Sequence, residues 1–294
     1  MVLFLQFAVN GVATGFVIGL LALSIVMVYR STRVLSFAQG AIASLATYVY
    51  FQMQTIWGWP AIVALPLALA AAGLIGAGSE LAVMRPLRRT DTLTRTVATL
   101  GLVLVLQVIM RVGWGGNESF VRPLSTSRVA LGSFTIGVQQ LIIAVVAVVA
   151  ALALGAWTRS SYRGLALSAM AEDPSAARLL GVNPTSSSLL AWSIGGVLAA
   201  LAGILVTPTL VLNPLQMTFI MVTALGAALL GRFMSLQRAL VGGVLIGVVQ
   251  SVTTGYVSIS GLSETFGFIA VFAVLLMTRG GSGSSALLAK GQAA

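Results

Sequence analysis

The chain has 294 residues, of which 58% are hydrophobic and only 7% are charged, and its formal net charge is +10. This composition excludes a soluble globular domain and indicates a protein that crosses a membrane several times. The chain contains no cysteine and no histidine. Their absence excludes disulfides, thiolate metal sites, thiol nucleophiles and histidine bases.

Apolar runs long enough for spanning helices of about 20 residues recur along the chain. An eighth apolar block, 239–278, is too long for one crossing and is broken near 258–263, which divides it into 239–257 and 264–278. The seven preceding runs are 4–29, 35–54, 61–84, 96–112, 138–156, 189–212 and 215–231. We therefore predict an all-α polytopic membrane protein with nine transmembrane helices, or eight if 35–54 is a broken or re-entrant segment.

Small residues at helical spacing predict close contacts between these helices. The stripes occur in the first, sixth and eighth segments. Their members are Gly11, Gly15 and Gly19, then Gly196, Ala200 and Gly203, then Gly242, Gly243 and Gly247.

Basic residues predict the orientation of the chain. If 158–188 is cytoplasmic and nine helices alternate, thirteen basic residues lie in the cytoplasm and only Arg111, Arg122 and Arg128 lie outside. This positive-inside bias places the N-terminus outside and the C-terminus inside. The net charge then reflects membrane orientation and not nucleic-acid binding. Residues 1–279 are predicted to form one transmembrane domain, followed by a disordered cytoplasmic tail at 280–294.

The longest polar interruption with a helical pattern is 158–188. Pro174 follows the acidic pair Glu172-Asp173 and suits the first turn of a helix. Gly181 predicts the end of that helix, and Asn183-Pro184 a turn. The predicted apolar face consists of Leu167, Met170, Ala177, Leu179 and Leu180. Such a helix could be presented to a soluble partner or could be an ordinary connector, and the pattern alone favours neither interpretation.

Polar residues within apolar segments are candidates for lining a solute path, because such side chains face protein or a cavity. The candidates are Asn10, Thr14, Ser36, Gln39, Thr99 and Gln107. Ser36, Gln39 and Gly40 also predict bent or unwound backbone. Asn10 could instead serve only to pack helices together. Gln107 could instead form a hydrogen bond to a neighbouring helix. Glu80 is predicted to pair with Arg85 or Arg88 at the membrane edge.

The source of energy for transport is constrained by what the sequence lacks. It has no nucleotide-binding motif, and its six acidic residues lie in loops or near predicted membrane edges. Without an acidic residue at mid-bilayer, proton or sodium coupling is disfavoured. A partner ATPase that docks on 158–188 is the better explanation. An ion-coupled secondary transporter is the alternative, and an intramembrane hydrolase lacks a suitable nucleophile and base.

Four stretches in order resemble the permeases of Liv-type ABC importers, which carry branched-chain amino acids and related small hydrophobic or amide solutes. They are GLLALSIVMVYRSTRVLSFAQGAIASLATY at 19–48, SELAVMRPLR at 79–88 with TLTRTVATLGLVLVLQ at 92–107, GLALSAMAEDPSAARLLGVN at 164–183, and GRFMSLQRALVGGVLIG at 231–247. The first stretch and the chain length are similar to the LivH-like branch. The resemblance runs to about Arg279.

The resemblance implies a non-catalytic subunit of a bacterial or archaeal cytoplasmic membrane transporter. The implied partners are ABC ATPase subunits, a second permease (LivM-like or a copy of this chain), an extracytoplasmic solute-binding protein and the lipid bilayer, with no nucleic acid. This chain would bind no cofactor, and the partner subunits would use ATP. The implied ATPase-coupling residues are Ala171, Glu172, Asp173, Ala177 and Gly181.

The chain departs from the family pattern at two places. Ser36 stands for the usual asparagine, Gln39 for the histidine and Ala41 for a frequent acidic residue. The usual glycine-rich run before the eighth segment reads GRFMS at 231–235. Because these positions would set the solute path or its gating, the resemblance identifies the class of protein but not its solute.

Overall fold

A computed structural model describes residues 2–115, 121, 123, 127–131 and 134–256. Within these residues the chain is almost entirely helical. The α-helices are α1 (Val2–Thr32), α2 (Ala38–Phe51), α3 (Ala61–Ser79), α4 (Thr92–Trp114), α5 (Val138–Ser160), α6 (Tyr162–Glu172), α7 (Pro174–Leu179), α8 (Pro184–Val206), α9 (Gln216–Leu230) and α10 (Leu236–Tyr256). The all-α membrane architecture that the sequence predicts is confirmed. A short antiparallel hairpin, β1 (Arg128–Leu131) and β2 (Phe134–Gly137), is added between α4 and α5.

Every predicted apolar segment up to residue 257 corresponds to a helix. Six described helices are long and apolar enough to cross a membrane, by length and composition, and α9 is a shorter apolar helix. The predicted break at 258–263 and the predicted segment 264–278 lie outside the described residues.

Residues 38–54 of the segment predicted at 35–54 lie in one helix. A turn of π-helix at Gln52–Ile56 extends α2 without a break, so the helical path from 38 to 56 is about 28 Å long. The unwound backbone lies at 33–36, before α2. The expectation of unwound backbone is confirmed at Ser36 and is wrong at Gln39 and Gly40, because the latter two lie in the first turn of α2.

The centre of the bundle is formed by α1, α2 and α8. In the most apolar part of α1, 83% of the residues are buried, against 22–28% in α3, α4, α5 and α10. These four outer helices expose leucine and valine side chains such as Leu104, Val149 and Leu245. Exposed apolar side chains are the expected surface of helices that face lipid. The outer helices therefore surround a core whose helices face protein on most sides.

The glycine stripe of α1 packs directly against α10. A Cβ atom added at Gly15 would lie 2.6 Å from the Cα of Val244, and one added at Gly247 would lie 2.3 Å from the Cα of Gly15. Backbones that approach so closely leave no room for side chains at the crossing. The predicted packing role of these glycines is confirmed.

The small residues of α8 make a second set of close contacts. A Cβ atom added at Gly196 would lie 2.4 Å from the carbonyl oxygen of Ala72 in α3, and one at Gly203 would lie 2.6 Å from Oγ1 of Thr47 in α2. The stripe of α8 therefore holds α2 and α3 against the core.

Glu80 forms a buried ion pair with Arg88, one of its two predicted partners. The Arg88 Nη2 atom lies 2.5 Å from Glu80 Oε1, and the Glu80 side chain is 1% exposed. Arg88 Nη1 donates to Oγ1 of Thr185 at 2.5 Å, in the first turn of α8. The pair thus joins the end of α3 to the start of α8.

Replacing Arg88 with methionine should lower the free energy of unfolding by about 3–5 kcal/mol, because it leaves a buried carboxylate without its counter-charge. The midpoint of thermal unfolding in detergent measures the change. Arg85→Met is the matched control, since Arg85 is exposed and should alter the midpoint little. Adding Glu80→Gln to Arg88→Met should recover much of the loss. Equal midpoints for the Arg85 and Arg88 variants would contradict the role of the pair.

The turn between α9 and α10 contains two residues in a backbone conformation that favours glycine. Arg232 has a φ of 52° and Phe233 a φ of 55°. This conformation costs a non-glycine residue roughly 1–2 kcal/mol. Of residues 231–235 only Gly231 is a glycine, so Arg232 and Phe233 adopt this conformation at that cost. Phe233 stacks on Tyr29 of α1 with ring centroids 4.9 Å apart, which fixes the turn against the core.

Arg232→Gly should therefore raise the stability of the protein by about 1 kcal/mol, after the greater freedom of glycine in the unfolded chain is deducted. The Arg232 side chain is exposed, so its removal loses little packing. Thermal unfolding in detergent measures the effect. Arg238→Gly, at an exposed position within α10, is the comparison and should not stabilise the protein. A lower midpoint for Arg232→Gly would show that the turn is unstrained.

Candidate coupling segment and solute path

The polar segment 158–188 contains two helices with well-defined starts. Ser161 interrupts the chain after α5 with an extended backbone, and its hydroxyl accepts a hydrogen bond from the Gly164 amide at 3.0 Å. Asp173 ends α6 and begins α7, because its carboxylate accepts from the amides of Ser175 at 2.7 Å and Ala176 at 3.1 Å. Pro174 occupies the first helical position of α7. The predicted helix start at Pro174 is confirmed.

The end of α7 also follows the prediction. Gly181 adopts a φ of 84°, and the Val182 amide donates to the carbonyl of Ala177 at 3.0 Å. A glycine in the left-handed region is the usual way to end a helix. Asn183 then caps α8 by accepting from the Thr185 amide at 2.9 Å, with Pro184 as the first residue of α8.

The predicted apolar face of the polar segment is only partly buried. Leu167, Met170 and Ala177 are buried, but Leu179 is 90% exposed and Leu180 79% exposed. The apolar face is therefore divided: its residues on α6 and Ala177 pack against the bundle, whereas the two leucines at the end of α7 are exposed.

The predicted coupling residues divide between two surfaces. Ala171 and Ala177 are each 1% exposed and pack inward, whereas Glu172 and Asp173 are exposed. No coupling role is tested by this arrangement. It does separate an inner, packed side of the segment from an outer side that carries two carboxylates and, at the end of α7, the two exposed leucines.

Asn10 and Thr14 lie near the end of α1 that is remote from α6 and α7. The Gln140 Nε2 atom of α5 donates to Oδ1 of Asn10 at 2.5 Å, and the Thr14 hydroxyl donates to the Asn10 carbonyl at 3.2 Å. Thr14 is exposed, whereas Asn10 is half-buried. The Asn10 side chain therefore joins α1 to α5, which is a packing contact; a role in the path stays a prediction.

Ser36, Gln39 and Thr99 lie together at the opposite end, where α6 and α7 also lie (the α6–α7 end). Thr99 accepts a hydrogen bond from the Phe37 amide at 3.1 Å, which joins α4 to the segment before α2. Gln39 is completely buried, and neither its amide nitrogen nor its amide oxygen has a hydrogen-bond partner among the described residues. Ser36 Oγ is buried and unpaired in the same way. Unpaired buried polar groups indicate ordered water or a second conformation.

Gln107 lies apart from both groups. Its Nε2 atom is 3.5 Å from Oγ1 of Thr218 in α9, at the long limit of a hydrogen bond. The six predicted path residues therefore form a remote pair, a buried cluster at the α6–α7 end and a single contact between α4 and α9.

Two buried polar residues of α8 were missed by the sequence analysis. Ser188 Oγ and Trp192 Nε1 are buried and have no hydrogen-bond partner among the described residues. Seven residues after Ser188, Gly195 faces Gln39: an added Cβ atom would lie 3.5 Å from the Gln39 Oε1 atom. Ser188 and Trp192 are four residues apart in an apolar helix, which places both on one face. This spacing was the signal in the sequence that could have identified them.

Two cavities open at the α6–α7 end. One, of about 490 Å³, lies between α6 and α8 and is lined by residues that include Tyr162, Gly181 and Asn183. The other, of about 750 Å³, lies between α5 and α10. The six predicted path residues line neither cavity. The described part of the chain also contains no cluster of acidic side chains that could hold a metal ion.

Known proteins are similar to this chain in sequence along most of their length. LivH, the high-affinity branched-chain amino acid transport system permease protein of Escherichia coli K12, is 30% identical over 288 aligned positions, covering 93% of this chain and 92% of LivH. BraD of Pseudomonas aeruginosa is 28% identical and covers 84% of this chain and 85% of its own. LivH of Methanocaldococcus jannaschii, a probable branched-chain amino acid transport permease protein, is 27% identical over an alignment that covers 81% of this chain and 78% of its own.

A solved structure and a family model agree with these relatives. A chain of PsaBC from Streptococcus pneumoniae in complex with Fab superposes with a TM-score of 0.51 over 93% of this chain and 90% of its own, at 14% identity, which indicates a shared fold. The family model described as branched-chain amino acid transport system, permease component, matches residues 7–278. This match, together with 30% identity to LivH along nearly the whole length of both proteins, shows that the chain belongs to the family of permease components of branched-chain amino acid transport systems.

Proposed function

We propose that this chain is a membrane-spanning subunit of an ABC importer for branched-chain amino acids or related small hydrophobic or amide solutes. Partner ATPases would drive alternating access, and this chain would itself bind no cofactor and catalyse no reaction. Family membership supports the class of protein. The observation that carries the docking surface is the polar segment, in which Leu179 and Leu180 are exposed and so are Glu172 and Asp173.

The chemistry of this surface supports a protein partner. Leu179 and Leu180 lie at the C-terminal end of α7, a short helix capped at its start by Asp173, so their backbone positions are fixed by the structure. Exposed apolar side chains beside charged ones are typical of a surface that packs against another protein. The remaining parts of the proposal are a second permease, LivM-like or a copy of this chain, an extracytoplasmic binding protein, and an orientation with the N-terminus outside and the C-terminus in the cytoplasm. The positive-inside bias supports the orientation.

Reconstitution into liposomes tests the proposal. The chain is inserted together with its candidate ATPase and second permease, the candidate solute-binding protein is added outside, and uptake of leucine and of a small amide is measured with and without ATP inside the liposomes. ATP-dependent uptake that requires all the subunits is the expected result. Uptake by this chain alone on a proton or sodium gradient would favour an ion-coupled secondary transporter and would overturn the ABC proposal.

A further inference from the structure

We infer that Arg30 and Arg33 of α1 are positioning residues that join the polar segment to the centre of the bundle, so that α6 and α1 move as one body. The inference rests on the proposed function, because it assigns the route by which a movement imposed on α6 and α7 reaches the path helices. Both residues belong to the thirteen basic residues that the positive-inside rule assigns to the cytoplasm.

Both arginines bind the last turns of α6 from the end of α1. Arg30 Nη2 donates to Oγ of Ser168 at 2.9 Å. Arg33 Nη2 donates to the carbonyl oxygen of Ala171, and lies 3.5 Å from the carbonyl oxygen of Glu172. The final carbonyls of a helix have no partner within the helix, and cationic side chains are well suited to bind them. The contact is thus directed at the end of α6 that adjoins α7.

The backbone of α1 ends in a way that supports this contact. Arg33 has a φ of 57°, and its amide donates to the Tyr29 carbonyl at 2.8 Å. A non-glycine residue in this conformation is disfavoured, so the surrounding contacts hold it there. The hydrogen bonds from the Arg33 side chain to α6 are among these contacts.

The covalent connections of the polar segment are less direct. Between α5 and α6 the backbone is extended at Ser161, and between α7 and α8 it passes through Gly181 and Asn183, which are not helical. Non-helical residues between helices can absorb changes in backbone angle. The contacts of Arg30 and Arg33 therefore connect α6 to α1 directly, without passing through the non-helical residues at Ser161 or at Gly181 and Asn183.

The properties of α1 suit it to transmit movement across the membrane. It is one uninterrupted α-helix without proline, and from Arg30 to Asn10 it extends about 30 Å. At the far end Asn10 is bonded to Gln140 of α5, and along its length Gly15 packs against α10. A displacement of α6 that is transmitted through Arg30 and Arg33 would therefore reach α5 and α10 at the opposite side of the bilayer.

The first experiment uses the reconstituted transporter with its partner subunits and the double variant Arg30→Ala, Arg33→Ala. Glu172, Asp173 and α7 remain intact, so the ATPase should still bind and hydrolyse ATP. Solute transported per ATP hydrolysed should fall by about fivefold or more, within the usual range of coupling between sites. Arg163→Ala, which removes an exposed arginine from the same helix, should leave this ratio unchanged.

A cross-link distinguishes transmission from a general loss of structure. Because the chain has no cysteine, Arg30→Cys with Ser168→Cys, combined with Arg33→Ala so that both arginine contacts are removed, gives one reactive pair, which a short bifunctional thiol reagent can bridge. Without the reagent the ratio should be low, and the cross-link should restore it. A normal ratio without the reagent, or uptake that the cross-link abolishes or leaves low, would overturn the inference.

The inference and the proposed function can fail separately. If changes at Glu172, Asp173 and Gly181 abolish uptake while the arginine variants behave like the control, only the route through α1 is wrong. If neither group of variants affects ATP-dependent uptake, the docking surface itself is wrong.

Discussion

Gly247→Leu is expected to prevent stable folding of the protein, or to lower its free energy of unfolding by at least about 3 kcal/mol, the upper end of the usual range for overpacking. The reason is the contact between α10 and α1, in which even a Cβ atom at this position would lie 2.3 Å from the Cα and 2.4 Å from the nitrogen of Gly15. Both atoms belong to backbone, so no side chain can rotate away. The helices must separate along their whole crossing.

The yield of monodisperse protein in detergent and its thermal unfolding midpoint measure this effect. Gly155→Leu in α5 is the matched control, because nothing lies within 4 Å of a Cβ atom added there. Gly155→Leu should be tolerated, and removal of a helical glycine tends to favour the helix. If both leucine variants were equally stable, α1 and α10 would have to lie farther apart than the structure places them.

The helices could be predicted because the backbone amides and carbonyls of an apolar run have no water to bind within lipid, so they must form hydrogen bonds within the run. The segment 61–84 even begins at Ala61 and ends at Met84 as predicted, if the π-helical turn is included with α3. The glycine stripe of α1 could also be identified, but its partner could not. The spacing of glycines along one helix shows that one of its faces carries only small residues. It does not show which helix, distant in sequence, packs against that face.

The candidate site was predictable where a local backbone rule applied. Asp173, Pro174 and Gly181 occupy the start and end of α7 as expected, since caps depend on neighbouring residues only. The exposure of Leu179 and Leu180 could not be predicted, because an apolar pattern identifies a face and does not show whether the bundle covers it. The contacts of Arg30 and Arg33 were not predicted, because they depend on tertiary packing between α1 and α6.

The second large effect is expected at the polar segment. Replacing Glu172 and Asp173 with lysines should reduce ATP-dependent uptake by about tenfold or more, while the chain still inserts in the membrane. The change reverses the charge of two exposed side chains near Leu179 and Leu180. It also removes the Asp173 cap of α7, which is worth about 1 kcal/mol. Uptake into liposomes with the complete set of subunits is the measurement.

The two consequences can be separated with conservative variants. Asp173→Asn keeps an oxygen that can accept from the amides of Ser175 and Ala176, so it changes the charge and preserves the cap.

At Gly181, where φ is 84° and an added Cβ atom meets nothing within 4 Å, the constraint is the backbone angle and not space. Asparagine tolerates this angle and valine does not. Gly181→Val should therefore uncouple transport and Gly181→Asn should largely retain it. Normal uptake for Gly181→Val together with the lysine variant would show that the ATPase docks elsewhere.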